Sequence, residues 1–180
     1  MLKKIVIIGP ESTGKSTLSA QLATYYGTSW CPEFAREYLL KNGPQYSYED
    51  LLPIAKGQLA LEDQFAQAQL NSAKPNGPLF IDTDMYVMKV WGEFVFDRCH
   101  KFILDQIATR HYDGYLLCDI DLPWEPDQLR EHPDLASRQR LFNIYKDLLV
   151  NQSTPWAEIG GNYEERLAAA IRAVDHFLSA

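Results

Sequence analysis

At 180 residues, 46% of them hydrophobic and 23% charged, the chain is long enough for one folded unit with a substantial core. Its formal net charge of −7 argues against a general nucleic-acid-binding surface, although a local basic groove stays compatible with it. Three widely spaced cysteines (Cys31, Cys99 and Cys118) with no C-x-x-C pair fit reduced thiols in a cytoplasmic setting better than a disulfide framework, and no stretch approaches the roughly 20 apolar residues of a membrane span.

Lys4 opens into Ile5–Ile8, an unbroken apolar run, the pattern of a strand buried on both faces. It feeds directly into Gly9-Pro10-Glu11-Ser12-Thr13-Gly14-Lys15-Ser16-Thr17, which has the spacing G-x-x-x-x-G-K-[ST] of a phosphate-binding loop. The residue types follow from the chemistry. Gly9 and Gly14 permit a tight turn that exposes amide N–H groups to phosphate oxygens, Lys15 supplies a cation for the β- and γ-phosphates, and the Ser16 hydroxyl can ligate Mg²⁺. A helix with Leu18, Leu22 and Tyr25/Tyr26 on one side then ends at Gly27, its positive end aimed at the bound anion.

Further along, Thr28–Cys31 is a short β-prone segment, and Pro32 is expected at the first position of a helix running through Leu40. Ser47 and Asp50 form a capped start to a long helix reaching about Leu70, and 72–78 is a loop. Strands are expected at Leu79–Asp82, Tyr115–Asp119 and Trp156–Ile159. Helices are expected at Met85–Phe96, His100–Thr109 and about Asp134–Val150, with Leu122–Pro133 a polar, proline-rich excursion before the last of these. Asn162 and Glu165 cap a final helix whose Leu167, Ile171, Val174 and Leu178 make one apolar stripe. Five strands alternating with helices predict a three-layer α/β sandwich around a mostly parallel sheet.

The site residues are expected at the C-terminal edge of that sheet, where open α/β folds bind ligands. Asp82, closing an apolar strand, is the candidate acidic partner for Mg²⁺ beside Ser16. Asp84, two residues on and expected on the same side, either reaches a substrate hydroxyl or caps the following helix. Glu33, Arg36 and Glu37 share one helical face, as part of the site or as a solvated ion-pair surface. The excursion carries Trp124, Glu125, Asp127, Arg130 and, at its end, Arg138 and Arg140. Arginines on a mobile segment neutralise transferred phosphate, and Arg130 and Arg138 are the candidates for that role. Tyr86, Trp91 and Trp124 are candidate aromatic surfaces for a flat ring, with ordinary packing as the alternative.

Taken in order, GPESTGKSTL, PEFAREYL, FIDTD, YLLCDIDLPWEPDQLRE and IGGNYEERLAAA span nearly the whole chain, and together they resemble the ribosylnicotinamide kinase domain of the NadR-type NAD-biosynthesis proteins. The resemblance implies a phosphate-loop NTPase fold like that of nucleoside and nucleotide kinases, as one kinase domain over 1–180 with a lid at approximately 122–140. It also implies an ATP- and Mg²⁺-dependent transfer to the 5′-hydroxyl of nicotinamide riboside, giving nicotinamide mononucleotide. By motif, Gly9 to Thr17 (Glu11, Ser12 and Thr13 among them) hold ATP, and Gly160 lies near adenine. Lys15, Glu33, Asp84, Arg130 and Arg138 serve catalysis, Ser16 and Asp82 the metal, and Glu33, Arg36, Asp84, Tyr86, Trp91 and Trp124 the nucleoside. The longer family members carry an amino-terminal adenylyltransferase, so a standalone kinase is the expectation here. A small-molecule nucleoside is the expected partner, with no nucleic acid or membrane and with oligomeric state open. A phosphate-loop ATPase or regulatory module, or a kinase of another nucleoside, is the alternative.

Overall fold

The computed structural model describes residues 2–179. Its sheet has five strands: β1 (Lys4–Ile8), β2 (Trp30–Cys31), β3 (Leu79–Asp82), β4 (Gly114–Cys118) and β5 (Trp156–Ile159). They run in the order β2-β3-β1-β4-β5, and every pairing is parallel. β1 is the middle strand, with β3 and then β2 on one side and β4 and then β5 on the other, which places the first strand and its phosphate loop at the centre of the C-terminal edge.

The helices are α1 (Lys15–Tyr26), α2 (Phe34–Asn42), α3 (Leu51–Leu70, preceded by a 3₁₀ turn at Tyr48–Asp50), α4 (Met85–Phe96), α5 (Lys101–Thr109), α6 (Leu135–Val150) and α7 (Tyr163–Ser179). One face of the sheet packs Ile5, Ile7, Phe80, Leu116 and Ile159 against α1 and α7. The other packs Val6, Ile8, Ile81 and Leu117 against Val90 of α4 and Leu141, Phe142, Tyr145 and Leu149 of α6. A third apolar cluster joins α2, α3, α4 and α5 through Ala35, Leu51, Ile54, Met88 and Ile103. The central strands have both faces covered, which explains their continuous apolar runs. Among the described residues no helix is long and apolar enough to cross a membrane.

The elements depart from the sequence expectation in a few places. Pro32 lies ahead of α2, which starts at Phe34 with Glu33 as its N-cap and runs to Asn42. The buried seam of α7 is Arg166, Ala170, Val174 and Phe177; Val174 belongs to the predicted stripe, but Leu167, Ile171 and Leu178 flank the seam as partly buried residues. The seam rotates because Arg166 is drawn inward to bind backbone carbonyls. The Ser47–Asp50 capping box forms as expected. So does the cap of α7, where the Asn162 side chain accepts from Glu164 and Glu165 N–H while Glu165 accepts from the Asn162 N–H.

Candidate active site

The phosphate loop is shaped by its glycines. Gly9 has φ 143°, and a Cβ there would sit 2.7 Å from the Cys118 carbonyl, so the loop can lie against the end of β4 only without a side chain. Gly14 has φ 77° and is the N-cap of α1. The buried Thr13 hydroxyl donates to the Pro10 carbonyl, and Lys15 Nζ rests on the same oxygen at 2.8 Å. From behind, the buried Arg166 donates to the carbonyls of Thr13, Gly161 and Asp119 and pairs with Asp121, tying the loop to β4 and to the start of α7.

Asp82 ends β3 beside this loop, 1% exposed. Its Oδ2 accepts from the Ser16 hydroxyl at 2.5 Å, and its Oδ1 is buried with no hydrogen-bond partner among the described residues. Burial pushes this carboxyl up, opposed by the nearby Lys15 ammonium and by Ser16. An oxygen-only pair with one orphaned buried oxygen fits a hard cation that takes its remaining ligands from phosphate and water, so Ser16 and Asp82 would hold Mg²⁺. Among the described residues no group of three or more His, Cys, Asp or Glu is arranged as a metal cage.

Asp84 departs from its expected place. Thr83 adopts φ 81°, a left-handed conformation that breaks the strand pleat, so Asp82 and Asp84 do not project together. Asp84 instead caps α4, accepting from the N–H groups of Tyr86 and Val87 and from the Tyr115 hydroxyl, and it is 2% exposed. Burial pushes it up to about 7, against those hydrogen bonds. It lines no part of the cleft. Neither does Tyr86, whose ring packs on Tyr115.

Glu33 takes the place that Asp84 leaves. It faces the cleft at the N-terminus of α2, and its carboxylate accepts no hydrogen bond among the described residues. Burial, and next the charge of Asp82, push it up to about 7, with Lys15 opposing. Arg36, one turn on, pairs with Asp127 across the cleft mouth, while Glu37 stays exposed.

The 119–134 excursion lies over the phosphate loop and is held there by the loop's own side chains. Glu11 accepts from the N–H groups of Glu131 and His132, and the Ser12 hydroxyl accepts from the N–H of Glu125 and from Arg130. Arg130 lines the cleft as expected, but Arg138 does not. Arg138 is buried on α6 with Nη2 3.4 Å from the carbonyls of Ser12 and Leu122, its Nε unpartnered and its charge disfavoured by burial. Trp124 lies outside the cleft lining and stacks under the guanidinium groups of Arg130 and Arg138, 6.0 and 5.6 Å from its ring centroid. Gly160 is likewise set back against Asp121, whereas Tyr163 reaches the cleft rim near Gly14.

The resulting cleft has a volume of about 490 Å³ and runs from the phosphate loop to an aromatic end. There the Trp91 indole donates to the Tyr46 hydroxyl at 2.9 Å, Tyr46 donates to Glu131 at 2.5 Å, and the two rings meet edge to face 4.9 Å apart. Phe94 completes this end, with His132 against it. Sequence reasoning found Trp91 but missed Tyr46, Glu131 and His132, which lie in loops without periodicity and become site residues only through contacts across the fold.

Residues 4–166 match the AAA domain family. The chain is 26% identical over 178 residues to the trifunctional NAD biosynthesis/regulator protein NadR of Escherichia coli (strain K12), a match covering 96% of this chain and 42% of that protein. The chain therefore spans less than half the length of this curated relative. Among solved structures, NadR in complex with NR is similar at a TM-score of 0.74 and 22% identity, covering 99% of this chain and 51% of that one. Thymidylate kinase from Ehrlichia chaffeensis follows at 0.67 and 15%, covering 97% of both chains. At these identities the structural likeness is one of fold.

The position of Asp84 gives a direct expectation. Because Asn caps a helix as well as Asp does, Asp84→Asn keeps kcat within about threefold and stability within about 1 kcal/mol, whereas Asp84→Ala loses about 1–2 kcal/mol of stability while keeping kcat. Urea unfolding and steady-state kinetics on both variants check this; a collapse of kcat in folded Asp84→Asn would return Asp84 to the chemistry.

Proposed function

The chain belongs to the AAA domain family, and on that premise we propose that it is an ATP-dependent nucleoside kinase, transferring the γ-phosphate to the 5′-hydroxyl of nicotinamide riboside. The observation that carries the reading is one cleft with a phosphate loop at one end, an aromatic, carboxylate-bearing wall at the other, and the unpartnered carboxylate of Glu33 between them. The similarity to NadR, whose solved structure holds NR, supports the choice of nucleoside.

The charges of the far end favour a nucleoside over a nucleoside monophosphate. Two arginines line the cleft: Arg36 is already engaged by Asp127, and Arg130 donates to the Ser12 hydroxyl and the Glu125 carbonyl, while Arg140, 5.1 Å from the Phe94 ring centroid, lies outside the lining. Glu131 and Glu33 add negative charge, which repels an acceptor phosphate but attracts a pyridinium ring, and Tyr46, Trp91 and Phe94 offer π-faces to that cation.

In the mechanism that follows, Lys15 leaves the Pro10 carbonyl for the phosphate oxygens, and Arg130 adds charge from the lid. Glu33 accepts the 5′-hydroxyl proton as the new O–P bond forms and the bond from the γ-phosphorus to ADP breaks. Ser16 and Asp82 would hold Mg²⁺, which would supply charge neutralisation for the transferred phosphate. The lid, spanning approximately 122–140, excludes water through the contacts of Glu11 and Ser12.

Two measurements test this. In a competition assay with Mg·ATP, nicotinamide riboside has a higher kcat/KM than thymidine, cytidine or adenosine, and thymidine monophosphate is not phosphorylated. A better nucleoside overturns the named substrate, and ATP hydrolysis at the same rate with no nucleoside present favours the ATPase alternative. The second measurement is the pH dependence of kcat. With Glu33 pushed up to about 7, lowering the pH through that value protonates the base, so kcat falls on the acid side with a midpoint near 7. Glu33→Gln lowers kcat by about 10² or more and abolishes that acid limb; a variant that keeps the limb places the base elsewhere.

A further inference from the structure

Glu33 occupies the N-cap position of α2, yet its side chain makes no capping hydrogen bond. An N-cap side chain ordinarily turns back onto the first free N–H groups of its helix, and a carboxylate so engaged would face α2 instead of the cleft. Another residue holds the turn that carries Glu33. Gln58, in the middle of α3 and 1% exposed, accepts from the Phe34 N–H at 2.7 Å through Oε1. Its Nε2 donates to the Pro32 carbonyl at 3.3 Å and lies 3.7 Å from Cys31 Sγ. One amide group thus holds the backbone immediately before and immediately after Glu33.

The neighbouring residue shows how closely the two helices are built together. A Cβ on Gly57 would fall 2.1 Å from the Phe34 ring, so α3 meets the start of α2 at a distance that only glycine allows. This contact fixes where Gln58 reaches and leaves little room for the Pro32–Phe34 turn to shift. The amide also matches what the turn needs, one acceptor for a buried N–H and one donor for a buried carbonyl, a combination that few side chains supply.

We propose that Gln58 is a positioning residue for phosphoryl transfer: by gripping the backbone on both sides of Glu33 it fixes the turn that carries that carboxylate and aims it at the acceptor hydroxyl. This rests on the reading of Glu33 as proton acceptor. Gln58 itself lines no part of the cleft, and it acts through Glu33. Displacing a reacting group by about 1 Å is enough to cost up to about 10²-fold in rate.

The test is a double-mutant cycle over wild type, Gln58→Met, Glu33→Gln and the double variant, assayed with Mg·ATP and nicotinamide riboside, with folding verified by circular dichroism and thermal unfolding. Gln58→Met is expected to lower kcat by about tenfold or more with KM for ATP changed less than about twofold. In the Glu33→Gln background the same substitution changes kcat less than about twofold, because no carboxylate remains to be positioned. Should Gln58→Met fail to fold, Gln58→Glu carries the cycle: it keeps an acceptor for the Phe34 N–H but sets a carboxylate oxygen against the Pro32 carbonyl. An equal loss of kcat in both backgrounds, or an unchanged kcat in the Glu33 background of wild type, overturns the role of Gln58 while leaving Glu33 in place. A Glu33→Gln enzyme with wild-type kcat overturns the underlying reading, and the positioning role with it.

Discussion

Asp82 ends an apolar strand with its carboxylate out of water, one oxygen on the Ser16 hydroxyl and the other without a partner, and the rest of the cleft is arranged around that group. A buried charge lacking full hydrogen bonding costs several kcal/mol, so a fold keeps one only where something offsets it. Here Lys15 offsets part of the cost, as the upward push on Asp82 is opposed first by that ammonium. Sheet order creates the pairing. Because β1 and β3 are parallel neighbours with Ile7 aligned to Asp82, the loop after one strand and the last residue of the other meet at the same edge. Replacing Asp82 by an apolar residue would relieve the burial cost and leave Ser16 and Lys15 with no acidic partner for a cation.

The lid contacts have a different energetic character. Arg36–Asp127 is a half-exposed ion pair at the rim, of a kind worth about 1 kcal/mol or less. Glu11 and Ser12 hold the 119–134 segment by accepting from backbone N–H groups and from Arg130, bonds that water can replace when the segment lifts. Glu11 and Ser12 belong to the phosphate loop, so this segment is seated directly on the loop through two of its own side chains. The rigid parts of the site, Asp82, Glu33 and the Arg166 anchor, lie on helices and strand ends packed into the core, whereas the adjustable part is the proline-stiffened segment above them.

Much of this was legible in the amino-acid order. The central strands stand out as continuous apolar runs because both their faces are covered, and the helix starts at Ser47, Asp134 and Asn162 carry caps whose chemistry is local. The phosphate loop, Asp82, Glu33, Arg36, Arg130 and Trp91 all reach the cleft. What failed was anything set by a single backbone angle or a distant partner. The positive φ of Thr83 turned Asp84 from the cleft to the helix, and nothing in a threonine announces it. Arg138 was expected over the phosphates and Trp124 against the nucleoside ring, yet the two pack against each other outside the cleft, because an arginine near a proline-rich turn gives no sign of the side to which it folds. Gln58 and Tyr46 act through partners 24 and 45 residues away in the chain, a separation across which no local pattern operates.

The most direct test of the account is metal-dependent nucleotide binding at Asp82. Isothermal titration of wild type and Asp82→Asn with a non-hydrolysable ATP analogue, with and without Mg²⁺, reads the carboxylate without any turnover. The account predicts that Mg²⁺ tightens analogue binding to wild type by about tenfold or more and that this enhancement shrinks to about twofold or less in folded Asp82→Asn. An undiminished Mg²⁺ enhancement in that variant would contradict it and place the cation on other residues.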